Sequence, residues 1–223
     1  MIERLLPAGV MSAETFTDIP GETPFPGEET LIMRALEPRR REFITARRCA
    51  RDALSKLGYA PGPILRGGRG EPQWPAGVVG SITHCAGYRA AAVAQAGELA
   101  SLGIDAEPNQ PLPEGVAGLV LLAGERSALR ELAVANPAVQ WDRLLYSTKE
   151  SIFKAWYTLT RRELGFEQAT VEVNPATATF RGRLGVDGAR IDGGPPLRVL
   201  TGRYLIERGM VATVVMVRDN GDD

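Results

Sequence analysis

LASLGIDAEPNQPLP, residues 99–113, sets how the chain divides. Residues 99–105 read as a strand, and Pro108, Pro111 and Pro113 then punctuate a loop that neither strand nor helix continues through. Upstream lie two more β-like stretches, 78–83 and 89–95, separated by turn residues. A Gly/Pro-rich loop, 61–77, precedes them. Before that loop a helical pattern begins at Glu28, is interrupted at Pro38, and runs through Phe43, Ala50, Leu54 and Leu57 to a stop at Gly58. Residues 11–28, rich in Pro, Gly, Thr and acids, read as a surface loop. Downstream come a helix at 125–135, a longer one at 141–161, and alternating strands at 170–173, 178–184, 197–207 and 211–217. Helix then strands, twice over, predicts an α+β chain of two similar lobes, 1–107 and 108–223, rather than a parallel doubly wound sheet.

Composition narrows the function classes. The 223 residues are 44% hydrophobic and 24% charged with a formal net charge of −1, ordinary for a soluble globular protein. That balance offers no global attraction to nucleic acid or to an anionic membrane, and neither is an expected partner. The opening MIERLLPAGVMSAE has no continuous apolar run, and the apolar stretch 210–217 is far too short to span a bilayer. Cys49 and Cys85 are read as buried thiols rather than a disulfide, and a cytoplasmic location is expected. Only three of the 26 basic side chains other than histidine are lysines, and two of those fall in KESIFK, residues 149–154.

Three segments carry candidate chemistry. In a strand, residues two apart share a face, so Asp105 and Glu107 project together while Ile104 and Ala106 face away. Adjacent carboxylates repel unless a cation lies between them, and hard oxygen donors suit magnesium. Taken alone, such a pair is more commonly two solvated acids at a strand end. Glu150 and Lys154 stand four apart on one helix face, which in isolation is a surface ion pair of about 0.3–0.5 kcal/mol. Tyr146, Phe153, Trp156 and Tyr157 make that helix a buried one, where unpaired charge is costly. The third segment, Arg66-Gly67-Gly68-Arg69-Gly70-Glu71-Pro72, leads to Ser81-Ile82-Thr83-His84. Glycines let backbone approach a ligand and arginines fork onto phosphate, although a Gly/Arg loop is most often just a loop. It lacks the GK[ST] of a P-loop. The sole histidine, His84, has a structural role as its commoner explanation. A magnesium-dependent pyrophosphatase would use similar residues, but no Nudix-like acid box is present. A nucleic-acid module built on Arg39–Arg51 is disfavoured by the net charge.

GRGEP, SITH, GIDAEP and STKESIFKAW, in that order, resemble the motifs of Sfp/EntD-type 4′-phosphopantetheinyl transferases across residues 39–156. EFITARRCARDAL, GEPQWP and THCAGYR resemble the actinobacterial branch, which serves fatty-acid, polyketide, nonribosomal-peptide and siderophore assembly lines. The resemblance implies a pseudodimer of two α+β lobes with coenzyme A held in the cleft between them. Asp105, Glu107 and Glu150, with the Ala106 carbonyl, would ligate Mg2+, with Mn2+ as a substitute. Arg39, Arg47, Arg66, Arg69 and His84 would hold the 3′-phosphate and its surroundings. Gly67 and Gly68 would bring the loop close, Thr83 would donate nearby, and Lys149 and Lys154 would approach the diphosphate. A serine of an apo acyl or peptidyl carrier protein attacks the β-phosphate and 3′,5′-ADP leaves. Glu150 is the expected base, with Lys154 and Asp105 completing the catalytic set. One departure is visible: members often carry a lysine in the phosphate loop, where this chain has Arg66 and Arg69. Internal duplication implies a monomer.

Overall fold

Helix α1, Glu37–Lys56, is the first long element of the computed structural model, which describes residues 1–218. It starts where the pattern was interrupted. Pro38 sits in its first turn, where an N–H has no intrahelical acceptor to lose, and upstream only a 3-10 turn, Glu29–Leu31, forms. Its buried stripe of Phe43, Ala46, Ala50, Ala53 and Leu54 covers an antiparallel sheet of order β1-β3-β2, from Met11–Thr15, Val78–Cys85 and Tyr88–Gln95. Strand β1 corrects the expected loop over 11–28. Its MSAET alternates only Met11 and Ala13, which pack toward α1, with Ser12 and Glu14, a pattern too short to read by itself, and the strand is held by the β3 edge.

A second antiparallel sheet has the order β4-β8-β7-β6-β5. Its strands are β4 Ser101–Pro108, β5 Ala169–Asn174, β6 Thr179–Leu184, β7 Val199–Glu207 and β8 Met210–Val217. Between β4 and β5 come α2 Val116–Val120, α3 Ala123–Ala135 and α4 Trp141–Thr160. Strand β4 pairs with β8 from Ser101↔Val217 to Pro108↔Met210, so residues 101–108, on the N-terminal side of the expected lobe boundary, belong to the second sheet. The proline-punctuated loop marks where regular structure stops; it does not decide which sheet the preceding strand joins.

The layers run α1, first sheet, second sheet, α4. Strand β3, buried from Tyr88 to Ala94, has an alanine-rich middle because both faces are covered. Ala91 and Val93 meet α1, while Ala90, Ala92 and Ala94 meet Ile104, Ala106, Ala212 and Val214 of the second sheet. Small side chains there let two sheets approach. Strand β2 also runs beside β4 without a backbone ladder. Ser81 Oγ accepts from the Ile104 N–H and Thr83 Oγ1 from the Ala106 N–H, each at 3.0 Å. These hydroxyls satisfy buried donors that would otherwise be orphaned. Thr83→Val keeps the shape and removes the acceptor. It is expected to lower unfolding free energy by about 1–3 kcal/mol in urea titration; a loss within a few tenths would mean that the Ala106 N–H finds another acceptor.

Candidate active site

Gly103 fixes how closely α4 lies on β4. A Cβ there would stand 2.0 Å from the Ser151 carbonyl oxygen and 2.8 Å from the Ala155 nitrogen, so only glycine admits the helix. The approach brings Lys154 of α4 onto β4, where its ammonium donates to Asp105 Oδ1 at 2.7 Å and to the Ile104 carbonyl at 2.9 Å. Thr83 Oγ1 adds a donor to Asp105 Oδ1 at 3.3 Å. Asp105 is 5% exposed, and its other oxygen, Oδ2, is buried with no hydrogen-bond partner. Lys154 thus turns to Asp105, not along its own helix to Glu150.

Two more carboxylates share this side of the sheet. Burial pushes the Glu107 carboxyl up to about 7, reinforced by Asp105 and opposed by Arg143, whose Nη1 donates to Glu107 Oε2 at 3.0 Å. Glu150 is also raised by burial, with Lys154 opposing and Asp105 adding to the shift. Among the described residues no three His, Cys, Asp or Glu side chains form a group able to hold a metal ion by themselves. The donor set nonetheless suits a divalent cation: crowded acids that resist ionising together, and a buried oxygen lacking any donor. Magnesium characteristically takes one or two carboxylates plus substrate phosphate oxygens, so a complete protein cage is not required.

Of these acids only Glu150 lines the neighbouring cavity, where most of the charge is positive. That cavity, of about 260 Å³, is lined by Arg39 and Arg47 of α1, Arg66 of the loop before β2, His84 of β2, Glu150 and Lys154 of α4, and Arg161 just past α4. Arg47 is buried, stacks 3.6 Å from the Phe43 ring centroid and donates to the Ile64 carbonyl. Burial pulls its guanidinium down to about 10, against Glu28 and helped by Arg66, Arg51 and Arg39. Arg66 is lowered by burial and by Arg39. His84 is pushed down to about 3 by burial, then by Arg39, Lys154, Arg89 and Arg47, so it is a neutral imidazole at physiological pH. Its Nδ1 lies 2.9 Å from Arg39 Nη1. Cations crowded until they depress one another make a site that favours an anion.

Several expected positions differ. Lys149 does not reach this cavity's lining; it is 2% exposed, and its ammonium is saturated at 2.9 Å by Glu125 Oε2 and the carbonyls of Val120 and Phe166. Thr83, also buried, is spent on the β2–β4 stitch, and Ser81 lines the cavity instead. Gly67 and Gly68 shape the turn rather than the wall. The Gly67 N–H closes onto the Glu71 carbonyl at 2.8 Å, and it is Gly70, at φ +88°, that lines the cavity. Arg69 borders the cavity with its guanidinium paired to Glu163 at 2.9 Å. The Ala106 side chain packs in the core between the sheets.

A second cavity of about 250 Å³ shares Glu150 and Phe153 with the first and is otherwise walled by Lys149, Glu163, Leu164, Gly165, Phe166 and Ala169. A larger hollow, about 1190 Å³ over β5 to β8, shares no residue with either and none of the acids above, so size does not locate the chemistry. Sequence reasoning passed over Arg143 and Glu125. Each is one of many like residues, and only its partner in the fold distinguishes it.

Residues 27–94 match the 4′-phosphopantetheinyl transferase N-terminal domain, and residues 101–191 match the 4′-phosphopantetheinyl transferase superfamily. The second match begins at β4, in agreement with the division by sheets. The chain is 51% identical to 4′-phosphopantetheinyl transferase Svp of Streptomyces mobaraensis over 220 residues, 97% of this chain and 89% of that protein. It is 47% identical to 4′-phosphopantetheinyl transferase PptT of Mycobacterium tuberculosis over 225 residues, covering 97% and 98%. A more distant similarity, 30% over 120 residues, is to enterobactin synthase component D of Salmonella typhi, covering 53% and 48%.

Proposed function

The chain belongs to the 4′-phosphopantetheinyl transferase superfamily and is an enzyme of that kind, and from this premise we propose what it transfers, from where and with which residues. The donor is coenzyme A, the acceptor is a serine of an apo acyl or peptidyl carrier protein, and the reaction needs Mg2+, with Mn2+ as a substitute. The observation that carries this reading is the single cavity that Arg39, Arg47, Arg66 and His84 line together with Glu150 and Lys154. A molecule that is polyanionic at one end and reactive at a diphosphate fits such a lining.

Arg39, Arg47 and Arg66 would take the 3′-phosphate, for which planar forks are suited. The neutral His84 would add one N–H, and Arg69 would join by leaving Glu163. Lys154, rather than Lys149, stands beside the diphosphate. The neutral pantetheine arm would run past Glu150 into the second cavity, where Phe153, Leu164, Phe166 and Ala169 offer apolar contact between charged neighbours. Asp105, Glu107 and Glu150 would hold the magnesium ion, which supplies charge neutralisation at the phosphoryl oxygens. Glu150 takes the proton as the serine oxygen bonds to the β-phosphorus and the bond to the departing 3′,5′-ADP breaks. A carboxyl raised by burial is a stronger base than an exposed one. The two halves, each a 20-residue helix against an antiparallel sheet, would form the pseudodimer whose cleft holds the site. The protein would act as a cytoplasmic monomer serving fatty-acid, polyketide, nonribosomal-peptide or siderophore carriers; among the described residues no helix is long and apolar enough to cross a membrane.

Intact-mass measurement on an apo carrier domain tests the reading. Coenzyme A and Mg2+ should add one phosphopantetheine, EDTA should abolish the gain, and 3′-dephospho-coenzyme A should support it only at much higher concentration. Full transfer in chelated buffer would sink the metal, and equal use of both donors would sink the arginine pocket.

A further inference from the structure

Arg143, in the first turn of α4, commits its whole guanidinium to the end of β4 and the loop after it. Nη1 donates to Glu107 Oε2 at 3.0 Å, Nε to the Gln110 carbonyl at 3.0 Å, and Nη2 to the Pro111 carbonyl at 2.8 Å. The loop is fixed independently. The Leu112 N–H donates to Asp142 Oδ2 at 3.1 Å, the Gln140 N–H to Asn109 Oδ1 at 2.9 Å, and Asn109 Nδ2 to the Ala138 carbonyl at 2.9 Å. The arginine is therefore held on two sides by backbone, and its third side holds one oxygen of a carboxylate. The Arg143 side chain is 14% exposed and that of Glu107 19%.

Resting on the magnesium reading above, we infer that Arg143 is a positioning residue that makes Glu107 a one-oxygen donor and so selects a small octahedral cation over calcium. The argument is geometric. A carboxylate with Oε2 engaged by a rigid donor keeps Oε1 wholly free, while Oε2 has one lone pair spent and cannot turn toward a metal without straining the bond to Arg143. Magnesium demands near-ideal octahedral geometry with short bonds, which single oxygens and waters provide. Calcium takes six to eight oxygens at longer distances and profits from bidentate carboxylates. Removing the arginine also removes a positive charge, which by itself strengthens binding of any divalent cation. That effect is common to both ions, so it cancels in the ratio of their affinities. The ratio isolates the geometry.

The test is calorimetric titration of Mg2+ and of Ca2+ into the full chain with coenzyme A present, for the wild type, Arg143→Gln and Arg143→Lys. A melt of each variant checks folding. Arg143→Gln is expected to shift the Kd ratio toward calcium by about tenfold or more, the scale of losing a partner that orients a metal ligand. Arg143→Lys keeps the charge and a single donor and should fall between the two, which keeps the test open if the glutamine variant does not fold. A ratio within twofold of wild type in the variants, or both affinities rising by one common factor, overturns the assignment and leaves Arg143 as a loop staple. A wild type that binds neither cation overturns the magnesium reading and this inference with it; a wild type that binds magnesium with an unchanged variant ratio overturns this inference alone.

Discussion

Glu150→Gln is expected to lower turnover by about 10²–10⁴-fold, the range for loss of a general base. The substitution keeps the size of the side chain and one acceptor oxygen while removing charge and basicity. Glu150 is half-buried on α4, one turn before Lys154, and lines both cavities. It can therefore face the seam where a phosphoryl group would meet an incoming hydroxyl. Coenzyme A affinity should change far less, because the arginine wall, Asp105 and Glu107 are untouched. Asp105→Asn makes the contrast. It removes half of the ion pair with Lys154, so the ammonium loses its anchor as the acidic edge loses a charge. Magnesium-dependent coenzyme A binding and turnover should fall together. Both variants need a melt to establish folding. A Glu150→Gln enzyme within a few-fold of wild-type turnover at saturating magnesium would falsify the base role.

The same pair of elements shows what a sequence makes legible. In α4 the apolar positions Leu144, Leu145, Ile152, Trp156 and Leu159 recur at the helical period because one face meets the core, and the observed helix, Trp141–Thr160, ends one residue short of expectation. β5 to β7 alternate because one face meets the α4 side of the core, whereas β8 is buried on both faces, between α4 and the first sheet. Glycine at 103 hinted at nothing in the sequence; the fold makes it the point where helix and strand touch. The pairing of β4 with β8 joins residues over a hundred apart, and local pattern carries no information about such a partner. β1 is illegible for a related reason: Met11 and Ala13 make a stripe of only two small steps among Pro, Gly and Thr, and the β3 edge is what makes it a strand. Arg143 was invisible in a chain where arginine is everywhere. The lysines are scarce enough to stand out, and the fold gives the two in KESIFK different surroundings. Lys154 reaches the acidic edge, and Lys149, five residues earlier and so on another face of the helix, is turned inward.

Lys149→Met should therefore cost stability, not ligand affinity. The ammonium is enclosed by Glu125 Oε2 and the Val120 and Phe166 carbonyls, and the Glu125 carboxylate also accepts from the Leu122 and Val171 N–H groups at 2.8 Å. One charge pair thus ties α4 to α3, to the segment before α3, to the Phe166–Gln168 turn and to β5. Lys149 and Glu125 are 2% and 4% exposed, so removing one partner strands an uncompensated charge away from water. The expected loss is about 3–5 kcal/mol, read from denaturant unfolding. Adding Glu125→Gln to Lys149→Met should recover part of it, because the stranded charge is gone while an amide oxygen remains for one N–H. Coenzyme A affinity of Lys149→Met, measured well below its melting temperature, should stay within a few-fold of wild type. The opposite pattern, unchanged unfolding with coenzyme A affinity lost by orders of magnitude, would return Lys149 to the diphosphate. It would require the ammonium to leave three acceptors in exchange for one ligand, and the near-complete burial of both charges argues that it does not.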